Sequence, residues 1–231
     1  MLRIFLLGAC AALLGCAGAP APAPGRAAAW GYVRLVPHEG WTPAPAGGGA
    51  YGDRRLADVT LVDYGRPGFA VVWADGPTPA PGRLALQIRG AAARAALEPA
   101  HGAVGVGGEL LVTNESADAH LLSVPAAGVL RRLPPGTSAS IPVERAGELT
   151  LFLLDAPGQG ARVFAPPGPF AVASEAGRFE LADLPPGPRR LHVWHPRFPP
   201  AVRSVELAPG RAQRVDLELG VGAEEGAAHA P

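Results

Sequence analysis

Proline and glycine recur so often along this chain that no long helix fits between them. Together they make up about a quarter of the residues, 31 Gly and 27 Pro in 231, and each one breaks a helix or a strand ladder. What survives between the breaks is short and alternates with period two. Leu84, Leu86 and Ile88 alternate with Arg83, Gln87 and Arg89. Leu149, Leu151 and Leu153 line one face of another run, while Phe152 and Leu154 make that strand apolar on both sides. Phe179 with Leu181, Leu191 with Val193, and Val215, Leu217 and Leu219 continue the pattern. Turn residues stand at Pro134-Pro135-Gly136, Ala176-Gly177, Pro185-Pro186-Gly187 and Pro209-Gly210. Only Ala91 to Leu97 suits one or two helical turns, confined by Gly90 and Pro99. A hydrophobic fraction of 48% against 17% charged is enough to build a core. The expectation is all-β, a sandwich or barrel of short strands.

Charge excludes several functions. Acidic and basic residues balance at 20 each, so no whole-chain field gathers nucleic acid. Every basic residue is arginine, which removes Schiff-base and P-loop chemistry. Gly105-Val106-Gly107-Gly108 lacks the helix and acidic residue of a nucleotide fingerprint and is a turn. No nucleophile elbow and no HExxH motif occurs. Arg54-Arg55, Arg131-Arg132 and Arg189-Arg190 read as solvated pairs.

The N-terminus reads as an address. Arg3 precedes the apolar stretch Ile4 to Gly15, which is shorter than the roughly 20 residues a spanning helix needs. Leu13-Leu14-Gly15-Cys16 resembles the bacterial lipobox. The resemblance implies cleavage before Cys16 and acylation of that residue, and Ala17 in place of Asp favours the outer membrane. Cys10 would leave an apolar run too short for export. With Cys10 removed and Cys16 acylated, the mature chain has no thiol for a disulfide, a metal or a nucleophile. Residues 16–29, with Pro20, Pro22 and Pro24, read as an extended tether, and 220–231 as a disordered tail.

Near the C-terminus, Gly177-Arg178-Phe179-Glu180-Leu181, then Leu184-Pro185-Pro186-Gly187 and Leu191-His192-Val193-Trp194-His195-Pro196, resemble the carboxypeptidase regulatory-like (prealbumin-like) β-domain. Gly177 supplies the positive φ of a hairpin turn, Phe179 and Leu181 enter the core, Pro186 and Gly187 sit in the next reversal, and Trp194 packs at a strand end.

Upstream, Val104 to Ser116 followed by His120 is similar to the strand–loop–histidine pattern of cupredoxins. The resemblance makes Asn114 the organiser of the loop and His120 the first copper ligand. The order of both patterns is similar to periplasmic methylamine-utilisation or plastocyanin-like proteins. A blue-copper site needs two imidazoles, a thiolate and a weak axial thioether. Aligned on that family, the remaining ligand positions fall at Leu153, Ala156 and Gln159, none of which is a ligand, and the only methionine is Met1. No cofactor is expected, and His120 reads as a structural histidine.

Two other constellations stand in the sequence. His192 and His195 stand three apart in one strand and face opposite sides unless a bulge intervenes. Trp30, Tyr32, Trp41 and Tyr51 suit either packing against the sandwich or stacking on a sugar or partner. The organisation expected is a signal peptide (1–15), a tether (16–29), a cupredoxin-like Greek-key domain (30–165), a prealbumin-like segment (166–219) and a tail (220–231). The function expected is a non-enzymatic binding or assembly module, lipid-anchored to the outer membrane on its periplasmic face, partnered by an envelope protein or polymer. Two alternatives stand beside it. One is a metal carrier using His120 with His101 or His192; the other is a carbohydrate or cell-envelope binding module.

Overall fold

The computed structural model describes residues 19–37, 62–156 and 160–220. Cys16, Trp41, Tyr51, Arg54-Arg55, Gln159 and the tail after Gly220 lie outside them. The chain opens with β1 (Ala27–Val36) and β2 (Val71–Ala74). Nine strands follow: β3 (Arg83–Arg89), β4 (Ala96–Glu98), β5 (His101–Ala103), β6 (Glu109–Asn114), β7 (His120–Val124), β8 (Val129–Leu133), β9 (Ser138–Pro142), β10 (Gly147–Leu153) and β11 (Ala161–Ala165). The last six are β12 (Phe170–Val172), β13 (Arg178–Leu184), β14 (Gly187–His195), β15 (Phe198–Leu207), β16 (Ala212–Arg214) and β17 (Leu217–Gly220). The only helical pieces among the described residues are 3-10 turns at Ala92–Arg94 and Pro125–Ala127. The all-β class read from the sequence holds.

The strands form two sandwiches. In the first, the sheet β4-β3-β6-β9 faces the sheet β5-β11-β10-β7-β8. Its core is the alternation visible in the sequence: Leu86, Ile88, Leu110, Val112, Ile141, Leu151 and Leu153 are all buried. The second places β13-β1-β16, with β17 further along β1, against β12-β2-β14-β15. Val33, Val72, Phe179, Leu181, Leu191 and Leu217 fill it.

Strand pairing departs from the expected division at 165/166. β1 and β2, assigned by sequence to the first domain, pair with C-terminal strands: β1 with β13, β16 and β17, and β2 with β12 and β14. The first sandwich is therefore an insertion between two neighbouring strands of the second. Phe170 lies opposite Trp73, and the Ala74 amide donates to the Pro169 carbonyl at 3.0 Å, so the insertion leaves and returns at one point. The physical reason is visible in β2, where Val71, Val72, Trp73 and Ala74 are all buried. A four-residue strand apolar on both faces needs a cover on each. The expected tether also ends early, because Ala27, Ala28 and Ala29 are buried strand residues. At the other end Gly220 belongs to β17, opposite Val36, and not to a tail.

The expected hairpin turns are corners between sheets. Gly177 has φ +84°, and a Cβ there would lie 2.3 Å from the Val33 carbonyl oxygen. Yet β12 and β13 on either side of it belong to opposite sheets. Pro185-Pro186-Gly187 likewise carries the chain from β13 across to β14, with Gly187 at φ +100°. In this C-terminal segment the hairpin is β14–β15, closed through Pro196-Arg197 with a register shift between Val193 and His195.

Candidate functional site

The loop that sets His120 is built on Asn114. This last residue of β6 is fully buried, so its amide must be satisfied internally. It donates to the carbonyls of Asp118 (2.7 Å) and Leu133 (2.8 Å) and accepts from the amide (3.0 Å) and hydroxyl (2.7 Å) of Ser116. The tied loop delivers His120 to the start of β7, opposite Leu133, on the same inward face as Leu122 and Val124. His120 is completely buried.

Its partner is Asp155, which sequence reasoning missed. His120 Nδ1 lies 2.6 Å from Asp155 Oδ2, and Asp155 Oδ1 accepts the Leu121 amide at 2.9 Å. The pairing of β7 with β10 ends at Leu122–Leu153, and the Leu154 amide donates to the Leu121 carbonyl at 3.0 Å. Beyond it the Asp155 side chain continues the ladder. Partial burial pushes the Asp155 carboxyl up, but the Leu121 amide and His120 outweigh it and hold the group below its ordinary value. His120 Nε2 is buried with no partner. The one clue in the sequence is a lone carboxylate directly after an apolar strand.

The family's copper set does not fit these residues. Leu153 and Ala156 are buried apolar side chains of the first core and offer no donor, and Gln159 lies outside the described residues. Nor does the fold assemble the carrier set. His101 on β5 and His120 on β7 are three strand spacings apart, roughly 14 Å, with β11 and β10 between them. His101 is in register with Arg162 and stacks on Phe69 at 5.7 Å on the outer side of that sheet, whereas His120 points inward. His192 belongs to the other sandwich, where it stacks on Trp73 (5.0 Å) and lies 2.8 Å from Asp75 Oδ1. Among the described residues, no three His, Cys, Asp or Glu side chains group as a metal site.

A second cluster, also unforeseen, joins the two sandwiches. Trp73 meets Phe164 at 4.9 Å, Phe164 stacks on Trp194 at 4.8 Å, and Trp194 meets Phe69 edge-on at 6.4 Å. Trp194 thus packs against the other sandwich and does not simply close its own strand. Arg162 fastens this contact: its guanidinium grips Glu148 at 2.7 and 2.8 Å, lies 5.8 Å from the Trp194 ring and donates to the Pro196 carbonyl. His195 is pinned here as well, with Nε2 3.0 Å from the Pro67 carbonyl and Nδ1 accepting the Arg197 amide at 3.0 Å. Despite the register shift beside it, His195 packs on Phe198 of the second core at 5.1 Å while His192 stacks on Trp73, so the two imidazoles stay on opposite faces and share no ligand. Burial, then the charges of Arg162 and Arg197, lower the pKa of His101. For His195 burial is again the largest cause, and it overrides the opposing Pro67 carbonyl.

Of the aromatic group near the N-terminus, Trp30 and Tyr32 are described. They sit on the outward face of β1, not in the core. Arg178 and Arg214 lie 5.9 and 5.5 Å from the Trp30 ring, and Arg214 is 5.7 Å from that of Tyr32. The guanidiniums occupy ring faces that a sugar would need. Arg190 is not merely solvated, since its Nε donates to Asp75 at 2.7 Å.

No protein family matches the chain, and no curated protein matches it. Three solved structures are similar to part of the chain. A purple cupredoxin from Nitrosopumilus maritimus is 15% identical, covering 36% of this chain and 98% of its own, with a TM-score of 0.31. An amicyanin mutant with Cu(I) is 18% identical, covering 41% and 98%, at 0.31. A heme-copper terminal oxidase dimer is 16% identical, covering 50% and 85%, at 0.30.

Proposed function

We propose that this protein is a non-catalytic binding or assembly module, acylated at Cys16 and held on the periplasmic face of the outer membrane, with a cupredoxin-like sandwich that has given up copper. The observation that carries the reading is the 2.6 Å contact of His120 with Asp155. It closes with protein groups the end of the sandwich that the family resemblance assigns to a metal. The partner expected is an envelope protein or polymer; nucleic acid is not.

Titration calorimetry with Cu(II) and Zn(II) tests the scaffold half of the reading. The expected result is no stoichiometric sub-micromolar binding. Such binding, lost in His120→Ala, replaces the module by a metal carrier. Intact-mass measurement of the membrane-extracted chain tests the anchor: acyl mass on a chain beginning at Cys16 is expected, and an unmodified N-terminus refutes it.

A further inference from the structure

Six large apolar side chains are exposed among the described residues: Val36, Leu130, Phe152, Leu154, Val172 and Val202. Three of them share one face. Phe152 on β10 is in register with Ser123 on β7, and Ser123 with Leu130 on β8, so Leu130, Ser123 and Phe152 form one row across the outer side of the sheet. The next row runs from Arg132 to Leu121, whose carbonyl takes the amide of Leu154. Leu130 is 65% exposed, Leu154 53% and Phe152 43%. Inward packing of β10 is already complete with Leu149, Leu151 and Leu153, so nothing in the core explains Phe152 and Leu154.

The charges around this patch select its occupant. Arg131 and Arg132 are exposed on edge strand β8, and neither forms an ion pair with a described residue. The carboxylate that follows Leu154, Asp155, is held by His120 and the Leu121 amide and offsets only one of these two arginines. An anionic bilayer offers what they lack, an apolar layer edged by phosphates.

We propose that the outer face of β8-β7-β10 docks on an anionic lipid surface, with Leu130, Phe152 and Leu154 entering the headgroup boundary and Arg132 pairing with lipid phosphate. The contact is peripheral and goes beyond the anchored-module reading, because it does not need the acyl chain.

Hydroxyl-radical footprinting of the full chain mixed with vesicles reads these side chains directly. Vesicles of phosphatidylcholine alone are compared with vesicles containing phosphatidylglycerol, and Val172 and Val202 serve as exposed references. Labelling of Leu130, Phe152 and Leu154 is expected to fall on anionic vesicles relative to the references. High salt is expected to restore it. Arg132→Glu removes a cation that accounts for about a fivefold change in partition and is also expected to restore labelling. Leu130→Ser, at the most exposed position, is expected to restore it for Phe152 and Leu154 without disturbing the fold. Equal labelling on both vesicle types overturns the proposal. So does protection that rises with protein density on neutral vesicles, which assigns the patch to a second copy. Either failure with acyl mass present at Cys16 leaves the anchor reading standing, and loss of that mass leaves this surface standing.

Discussion

Removing the Asp155 carboxylate tests the central feature of the first sandwich. Asp155→Ala leaves both nitrogens of a fully buried imidazole without a protein partner, since His120 Nε2 has none already. A hydrogen bond to a charged group contributes about 1.5–3 kcal/mol, and leaving a buried polar atom unsatisfied costs a similar amount. The Asp155 side chain is 40% exposed, so solvent screening places the loss below the sum of the two, at about 2–3 kcal/mol. For a chain of this size that corresponds to a fall in Tm of about 5–10 °C. Asp155→Asn keeps an acceptor for the Leu121 amide and is expected to lose about 1 kcal/mol. The assay is urea unfolding followed by circular dichroism, as a double-mutant cycle with His120→Leu. In that background Asp155→Asn is expected to cost less than about 0.5 kcal/mol and Asp155→Ala about 1 kcal/mol, because no imidazole is left unpaired and only the Leu121 amide loses its acceptor. A wild-type stability for Asp155→Ala, or the same loss with and without His120, refutes the reasoning.

Three other outcomes follow from the geometry. Trp194→Ala removes a ring stacked between the sandwiches and should lower stability by about 3–5 kcal/mol; a cost under about 1 kcal/mol in urea melts contradicts its role there. His101 and His195 have folded pKa values below their ordinary 6.5, so the unfolded chain takes up protons first on acidification. Stability should be complete above pH 6.5 and decline as pH drops below it, with a shallower decline in His101→Gln; a flat profile from pH 7.5 to 5.5 in urea melts is the contrary result. Gly177→Ala places a side chain at φ +84° against the Val33 carbonyl, and is expected to destabilise by more than about 1 kcal/mol; an unchanged Tm argues against that corner.

Period-two alternation made the strands and both cores legible, because inward residues such as Leu86, Ile88, Phe179 and Leu181 must alternate with solvated ones. Strand partners were not legible. A strand records whether its faces are apolar but not which ladder it joins, so β1 and β2 went to the nearer sandwich in sequence and not to the one that pairs with them. The same gap turned the Gly177 and Gly187 reversals into hairpins, since a positive φ marks a turn without saying which sheet comes next. His120 could be placed inward by parity with Leu122 and Val124, but Asp155 could not be paired with it without the β7–β10 register. Trp194 reads as a residue that packs at its own strand end because the surface it covers, Phe164, comes from another part of the chain.

The grip of three strands on the two edges of β1 has a mechanical consequence. Ala27–Val36 runs antiparallel to β13 and parallel to β16 and β17, so a pull through the residues that precede it is directed along the strand. Ladder bonds on both sides are then loaded together in shear and cannot be peeled open one at a time. The chain meets traction at its N-terminal end with an element locked on both edges, and the inserted sandwich, whose chain leaves and returns beside Ala74 and Phe170, takes no part in that ladder.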